Sequence, residues 1–391
     1  MTNAADIPLP LHALREAFVQ SGHDLRFVGG CVRAYFMGEE AKDIDLCTDA
    51  TPEEAMAIYR SEGLNYYLTG LEHGTITVGV GSMHYEITSL REEFDHDGRH
   101  AKVRFTRDWA GDLSRRDLTF NAMAMSFDGA IYDPHDGMAD LIAGHVRFVG
   151  DATQRVKEDY LRILRYFRFY ARYGRGAPDD ASLEACTTHA SGLETISGER
   201  IWQEMKLILR HRSAVLTLRH MAPVLPHIGV SDPRFDALED VAEFSEDPVL
   251  RALALVGRDR FAVLAERWRW SNAEKDKAAY VAEKGIVAPT LEKLKYQAWV
   301  KDVPEEHLRA WCDYTGGQTA WREFTSEYLV RPAFPLKGGD FMAAGYAGPD
   351  IGAGIKSAKL VWALSDYKVS RDELLLMIQE GVECSLSPQK S

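Results

Sequence analysis

Arg26-Phe27-Val28-Gly29-Gly30-Cys31-Val32-Arg33, followed ten residues later by Asp43-Ile44-Asp45-Leu46, is the stretch that decides how this chain is read. An apolar strand running into a glycine pair, and then into a helix over Cys31–Met37 that stops near Gly38, is an α/β opening. Asp43-Ile-Asp-Leu alternates polar and apolar, as a strand with one buried face does, so both carboxylates would share the other face. Two carboxylates so placed can hold divalent cations, and Mg²⁺ takes carboxylate oxygens together with substrate phosphates. The glycine pair lets backbone approach a triphosphate at a helix N-terminus. No Gly-Lys-Ser/Thr follows the glycines, so this is not a Walker loop. A lone Asp-x-Asp can equally cap a strand; the upstream Gly-Gly is what favours a metal and phosphate site.

Outward from this point the pattern stays mixed as far as residue 148. Residues 11–20 read as an amphipathic helix, and Thr51-Pro-Glu-Glu is a helix start with a capping Thr. Gly74–Gly81 and His84–Leu90 read as strands joined at Gly81-Ser82. The second carries Glu86, either a third metal-binding carboxylate or part of a solvated strand face. Arg91–Ala110 shows no period and reads as a long loop. Strands resume over Thr119–Phe127 and Ala130–Tyr132. Beyond 148 the helical period dominates, over Arg155–Tyr173, Gly198–Arg210 and much of 235–330. Candidate joints are Gly174–Asp180, Arg331–Pro335 and Gly345–Gly354. The fold class is α+β: a mixed head followed by a helical remainder.

Two further clusters carry chemistry. Arg115-Arg116-Asp117-Leu-Thr-Phe-Asn121 sets adjacent cations beside an acid and an amide, which suits phosphates and ribose hydroxyls but also suits a surface salt-bridge cluster. In Glu158-Asp159-Tyr-Leu-Arg162-Ile-Leu-Arg165, Asp159 and Arg162 stand three apart on one helix face. An acceptor beside a donor fork complements the Watson–Crick edge of cytosine or adenine; the plain alternative is an intrahelical ion pair.

The 391 residues require more than one domain. A net charge of −13 argues against nucleic acid only if the charge is even, and it is not. Residues 1–150 carry 13 basic and 24 acidic side chains, 151–220 carry 12 and 9, and 221–391 carry 21 and 26. Arg155–Arg175 alone holds seven basic to two acidic residues, a local stripe that can dock phosphates. Five scattered cysteines without a CxxC pair argue against a disulfide framework and a zinc knuckle and read as small buried hydrophobes. Trp268, Trp270, Trp299, Trp311 and Trp321 read as core. His96, Asp97 and His100 lack companions in ligand spacing. No apolar run reaches the ~20 residues of a membrane span, no signal pattern opens the chain, and a cytoplasmic protein is expected.

Taken in order, FVGGCVR, KDIDLCTDATPEE, HGTITV, YEITSLR, DGRHAKVRFTRDW, DLSRRDLTFNAMA, DPHDGMADL, EDYLRILRYFRFYAR and ISGERIWQEM resemble one family, across residues 26–210. It is that of the class II tRNA nucleotidyltransferases (CCA-adding enzymes) with their bacterial poly(A) polymerase relatives, and the alphaproteobacterial and mitochondrial types are the most similar. The resemblance implies a polymerase-β-like head over 1–147, a helical neck over 148–220, a helical body over 221–330 and a tRNA-binding tail over 331–391. It implies Asp43, Asp45 and Glu86 as catalytic metal ligands for two Mg²⁺ ions. Gly29, Gly30 and Arg33 would hold the triphosphate, and Arg116, Asp117 and Asn121 the sugar and phosphates. Asp159 and Arg162 would select C or A with support from Arg165, and Arg200 would brace the helix that carries them. The substrates implied are CTP, ATP and tRNA lacking part or all of its CCA end; oligomeric state stays open. Where the family usually carries Asp after Val-Arg, this chain has Ala34, which predicts weaker positioning of Arg33 or the nucleotide without loss of metal binding. A poly(A) polymerase, a CC-adding enzyme and an inactive RNA-binding relative are the competing readings. The acidic balance of 221–391 speaks against the first, the long segment Arg91–Ala110 against the second, and the intact acids against the third.

Overall fold

The computed structural model describes residues 9–41, 43–94, 102–301, 303–328, 333–365 and 367–379. The chain divides into two compact units, residues 1–231 and 232–391.

The first unit opens with α1 (Leu9–Gln20), β1 (Leu25–Val28), α2 (Gly30–Met37) and β2 (Asp45–Thr48). Helix α3 (Pro52–Ser61) follows, started by the capping box that its sequence announces: Thr51 accepts from the Glu54 amide and Glu54 accepts from the Thr51 amide. Then come β3 (Tyr66–Gly70), β4 (Thr75–Val80) and β5 (Met83–Ser89). With β8 (Ala124–Met125) and β9 (Ile131–Tyr132) these strands form one seven-stranded sheet in the order β3-β4-β5-β2-β1-β8-β9. Only β2 and β5 run parallel; the other neighbours are antiparallel. The expected α+β class and mixed sheet are both present.

Four expectations are corrected. The strand at Asp43-Ile-Asp begins only at Asp45, so Asp43 stands on the bend before it. Residues 91–110 are not all loop: β6 (Arg91–Phe94) and β7 (Lys102–Phe105) pair as a two-stranded ribbon, and α4 (Trp109–Ser114) follows. The mixed charges that hid this period are its cross-strand pairs, since Glu92 lies opposite Arg104 and bonds it at 2.7 Å. Residues 119–127 hold only a 3₁₀ turn, Thr119–Asn121, and the two-residue β8. Every residue from Asp117 to Met125 is buried, and burial on all sides imitates a strand in sequence. Helix Arg155–Tyr173 is two helices, α6 (Ala152–Glu158) and α7 (Leu161–Tyr173), after the intervening α5 (Gly137–Ala143). The break falls on Asp159, whose extended backbone (φ −153°, ψ 108°) lets its carboxylate accept from the Leu161 amide.

Helices α8 (Asp180–Thr188) and α9 (Gly198–Arg210) complete the part of this unit that matters for function. Helix α7 packs on α9, and its Ile163, Leu164 and Phe167 are fully buried. Burying side chains of this size stabilises by roughly 1.5–3 kcal/mol each, which holds α7 in place.

The second unit is helical throughout its described residues, from Phe235–Ala242 to Arg371–Gln379. It holds two buried clusters, one around Leu250, Leu253, Trp311 and Phe324, the other around Phe341, Trp362 and Leu374. The second half of the expected joint Gly345–Gly354 is instead the start of helix Pro349–Leu364, where Pro takes the first turn. Trp268, Trp270, Trp311 and Trp321 are buried as expected; the side chain of Trp299 lies outside the described residues, as do His96, Asp97, His100 and Cys384. The other four cysteines are buried free thiols. Among the described residues no helix is long and apolar enough to cross a membrane.

Candidate active site

The parallel pairing of β2 with β5 sets Asp45 directly beside Glu86, although the two are 41 positions apart in sequence. Paired residues on neighbouring strands project to the same face, so both carboxylates point the same way. Both are exposed, as is Asp43 on the bend before β2. Loss of hydration raises the Asp45 pKa; Arg116 pulls it down, and the negative charges of Glu86 and Asp43 push it up again. Like charges held together in this way suit a cation, and an all-carboxylate set suits a hard one. Among the described residues no three His, Cys, Asp or Glu side chains are gathered closely enough to hold an ion unaided. Any ion here would take further oxygens from a bound phosphate, which is how Mg²⁺ commonly binds.

Beside Asp45, the glycine turn opens α2. Gly29 has φ +67°, and a Cβ on it would stand 2.9 Å from an Arg116 guanidinium nitrogen, so only glycine fits. Arg116 thus lies flat against the turn, with Cys47 Sγ at 3.6 Å and Asp112 Oδ2 at 3.5 Å. Its Nε is buried without a partner. Arg115 bonds the other oxygen of Asp112 at 2.9 Å through Nε. Burial alone would raise the Asp112 pKa, but these two guanidinia hold the carboxyl below its ordinary value.

Asp117 is committed internally. It accepts from the Leu118 amide (2.8 Å), Asn121 Nδ2 (3.0 Å) and Arg165 Nε (2.7 Å), and these bonds hold its carboxyl far below the usual range despite burial. Asn121 passes the chain on, accepting through Oδ1 from Arg33. Arg33 also donates Nε–H to the Tyr173 hydroxyl at 3.1 Å and lies 4.8 Å from the centre of the Phe169 ring. Ala34 is buried, and Arg33 is held by groups from other elements.

Across the cleft stands the α6–α7 break. Asp159 and Arg162 do not share an uninterrupted helix face, because Asp159 lies in the break itself. Asp159 Oδ2 accepts from Arg200 at 3.1 Å, while Arg162 bonds Glu158 at 2.6 Å and the carbonyls of Arg155 and Arg115 at 3.1 Å each. Arg200 therefore reaches from α9 to the break, where the resemblance placed a brace. A cleft of about 670 Å³ brings together Gly29, Gly30, Arg33, Asp43, Asp45, Arg116, Asp117, Asn121, Asp159, Arg162, Arg165 and Arg200. Glu86 is not part of that lining; it stands next to it through its strand pairing. Arg115, read in the sequence as one of two adjacent cations, also lines the cleft, as do Arg168 and Phe169, which the sequence reading did not single out. Arg168 lies 4.3 Å over the Phe169 ring and bonds the buried Glu204 at 3.1 Å. The signal for Asp112 was available, since it stands three and four positions before Arg115 and Arg116. For Phe169, which reads as one more core aromatic, there was none.

Comparison with known proteins shows the family. A poly A polymerase head domain matches residues 25–147, and a probable RNA- and SrmB-binding site of polymerase A matches residues 177–223. The mitochondrial CCA tRNA nucleotidyltransferase 1 of Mus musculus is 38% identical over 95% of this chain and 90% of its own length. A CCA-adding enzyme of Bacillus cereus is 32% identical over 73% of this chain and 72% of its own. The crystal structure of the Bacillus stearothermophilus CCA-adding enzyme in complex with CTP superposes with a TM-score of 0.75 at 25% identity, covering 96% of this chain and 98% of that one. The cytoplasmic expectation draws no support from these names, the first of which is mitochondrial. With 38% identity along nearly its whole length, the chain belongs to the class II tRNA nucleotidyltransferase family of CCA-adding enzymes.

Proposed function

We propose that this protein adds C, C and A in turn to the 3′ end of tRNA, using CTP and ATP. One observation carries the reading: a single cleft joins the carboxylates Asp43 and Asp45, the glycine turn with Arg33 and Arg116, and the polar pair Asp159 and Arg162. The first group marks where phosphoryl chemistry occurs, the second where a triphosphate sits, and the third where a base is read.

Asp43, Asp45 and Glu86 would hold Mg²⁺. When bound, such ions lower the pKa of an attacking hydroxyl and offset charge on a leaving pyrophosphate. The remaining work falls to the chain. Gly29 and Gly30 bring backbone close to the triphosphate, and Arg33 and Arg116 add charge-assisted donors. Asp159 offers carboxylate lone pairs to an exocyclic amine, N4 of cytosine or N6 of adenine, while Arg162 offers donors to the ring acceptor beside it. Guanine and uracil present mismatched groups there. Arg165 is fixed by Asp117 and Arg200 grips Asp159, so these two orient the reading edge. No protein nucleophile is required, because the tRNA hydroxyl attacks the α-phosphate directly. The helical unit of residues 232–391, with its two buried clusters, would hold the tRNA.

Extension of a tRNA lacking CCA, read at single-nucleotide resolution, tests the reading. CTP alone should add two residues, CTP with ATP three, and ATP alone almost none; a long A ladder overturns it. Chelation with EDTA should stop addition, and Mg²⁺ should restore it.

A further inference from the structure

Arg33 is tied to a carboxylate that is not in the cleft. Its Nε–H donates to the Tyr173 hydroxyl at 3.1 Å, and that hydroxyl donates in turn to Glu39 Oε2 at 2.9 Å. The same Glu39 oxygen accepts from Arg172 at 2.8 Å. Glu39 reaches this point because Gly38 closes α2 in the left-handed region (φ 64°) and the Glu39 amide bonds back to Ala34 O at 2.9 Å. The chain thus folds under its own last helical turn and brings an acid beneath Arg33, from five positions beyond the apolar Ala34. Tyr173 is 6% exposed, and its ring stacks on Phe169, so the hydroxyl has little freedom to find other partners.

We infer that Glu39 and Tyr173 form a relay that positions Arg33 for the triphosphate, linking the glycine-turn helix α2 to the last turn of α7. Both are positioning residues: neither lines the cleft, and each acts through the guanidinium that does. With Nε on Tyr173 and Nη1 on Asn121, Nη2 is the nitrogen of Arg33 with no hydrogen-bond partner among the described residues, and a Cβ placed on Gly30 would stand 3.9 Å from it. The relay fixes two of the three nitrogens so that the third faces the phosphate site. It grips the triphosphate irrespective of the base, so CTP and ATP should feel its loss equally. The inference rests on the reading of Arg33 as a triphosphate ligand.

The test measures KM and kcat for CTP and for ATP, with inorganic tripolyphosphate as a competitive inhibitor that carries no base. A hydrogen bond to a charged group, with partial retention through Asn121 and Phe169, corresponds to about a five- to tenfold effect. Tyr173→Phe and Glu39→Ala should therefore raise both KM values and the tripolyphosphate Ki together by that factor, with kcat within about twofold. Glu39→Gln still accepts from the hydroxyl and should restore most of the affinity. Arg33→Ala separates the two layers: an unchanged tripolyphosphate Ki in that variant removes Arg33 from the triphosphate and the relay with it. If Arg33→Ala raises the Ki while Tyr173→Phe and Glu39→Ala do not, the relay alone is overturned. KM values for CTP and ATP that move apart, or a fall in kcat at steady KM, also overturn it. Should Tyr173→Phe fold poorly, the half-exposed Glu39 decides the matter.

Discussion

The two walls of the cleft are built in opposite ways. On the strand wall, Asp43, Asp45 and Glu86 are exposed and bring like charge together, with Arg116 the cation that acts on Asp45 among the described residues. On the helix wall, Arg33, Asn121, Asp117 and Arg165 are linked end to end by hydrogen bonds, with Phe169 packed among the guanidinia. One wall leaves its charge to be neutralised by what binds; the other ties most of its donors into internal bonds and leaves a few, such as Nη2 of Arg33, to meet a ligand. Reaction and selection are thereby separated, so damage to one should spare the other.

The largest expected break in that contrast is Asp45→Asn. Incorporation of C and A should fall by about three orders of magnitude, the scale of several kcal/mol of lost metal assistance. tRNA affinity by filter binding should hold, and retained turnover would sink the strand wall as the reaction centre. Next comes Asp117→Ala, which strands Arg165 beside a vacated acceptor. Breaking a buried pair from one side costs about 3–5 kcal/mol, so thermal unfolding should drop well below that of Asp45→Asn. The same pair gives a pH signature. Because the folded Asp117 pKa is depressed, its stabilisation is present above the ordinary aspartate value near 4 and is lost as pH falls through the native one. Acid titration of unfolding should show a shallower loss below about pH 4 in Asp117→Asn than in the parent.

Arg200→Ala is the sharper probe of selection. It frees Asp159 without touching the carboxylate wall, so misincorporation of U or G should rise by about tenfold, the worth of one charge-assisted bond, while kcat for C stays within a few-fold. An equal fall for all four nucleotides would instead make Arg200 a fold-stabilising residue. The smallest effect is at Cys47, directly under Arg116. Burial pushes its thiol up to about 12, so iodoacetamide at pH 8 should leave it unmodified until the protein unfolds.

Much of the strand wall was legible because its signals are local. Gly29-Gly30 and Asp43-x-Asp45 lie within seventeen positions, and Thr51 announced its helix. The pairing of Asp45 with Glu86 was not, since strand order is set by long-range hydrogen bonds that leave no mark on the residues themselves. The helix wall was readable as a set of residues but not as a geometry. Asp159 and Arg162 looked like neighbours on one helix because the apolar period of 155–173 continues through the break. Asp159 interrupts the helix with a side-chain bond to Leu161, which competes with helical pairing without changing the hydrophobic pattern. Glu39 carries no signal of its own in the sequence, because only the turn at Gly38 brings it to Tyr173 and Arg172.

The parallel contact of β2 with β5 carries one more consequence. The spacing of Asp45 and Glu86 is held by main-chain hydrogen bonds, so it is quantised: the strands can slip by a whole residue or not at all. A slip of one would turn Glu86 to the opposite face of the sheet. Insertions in the β3–β4 connections should therefore be harmless while the ladder keeps its register, and abolish the chemistry outright when it does not.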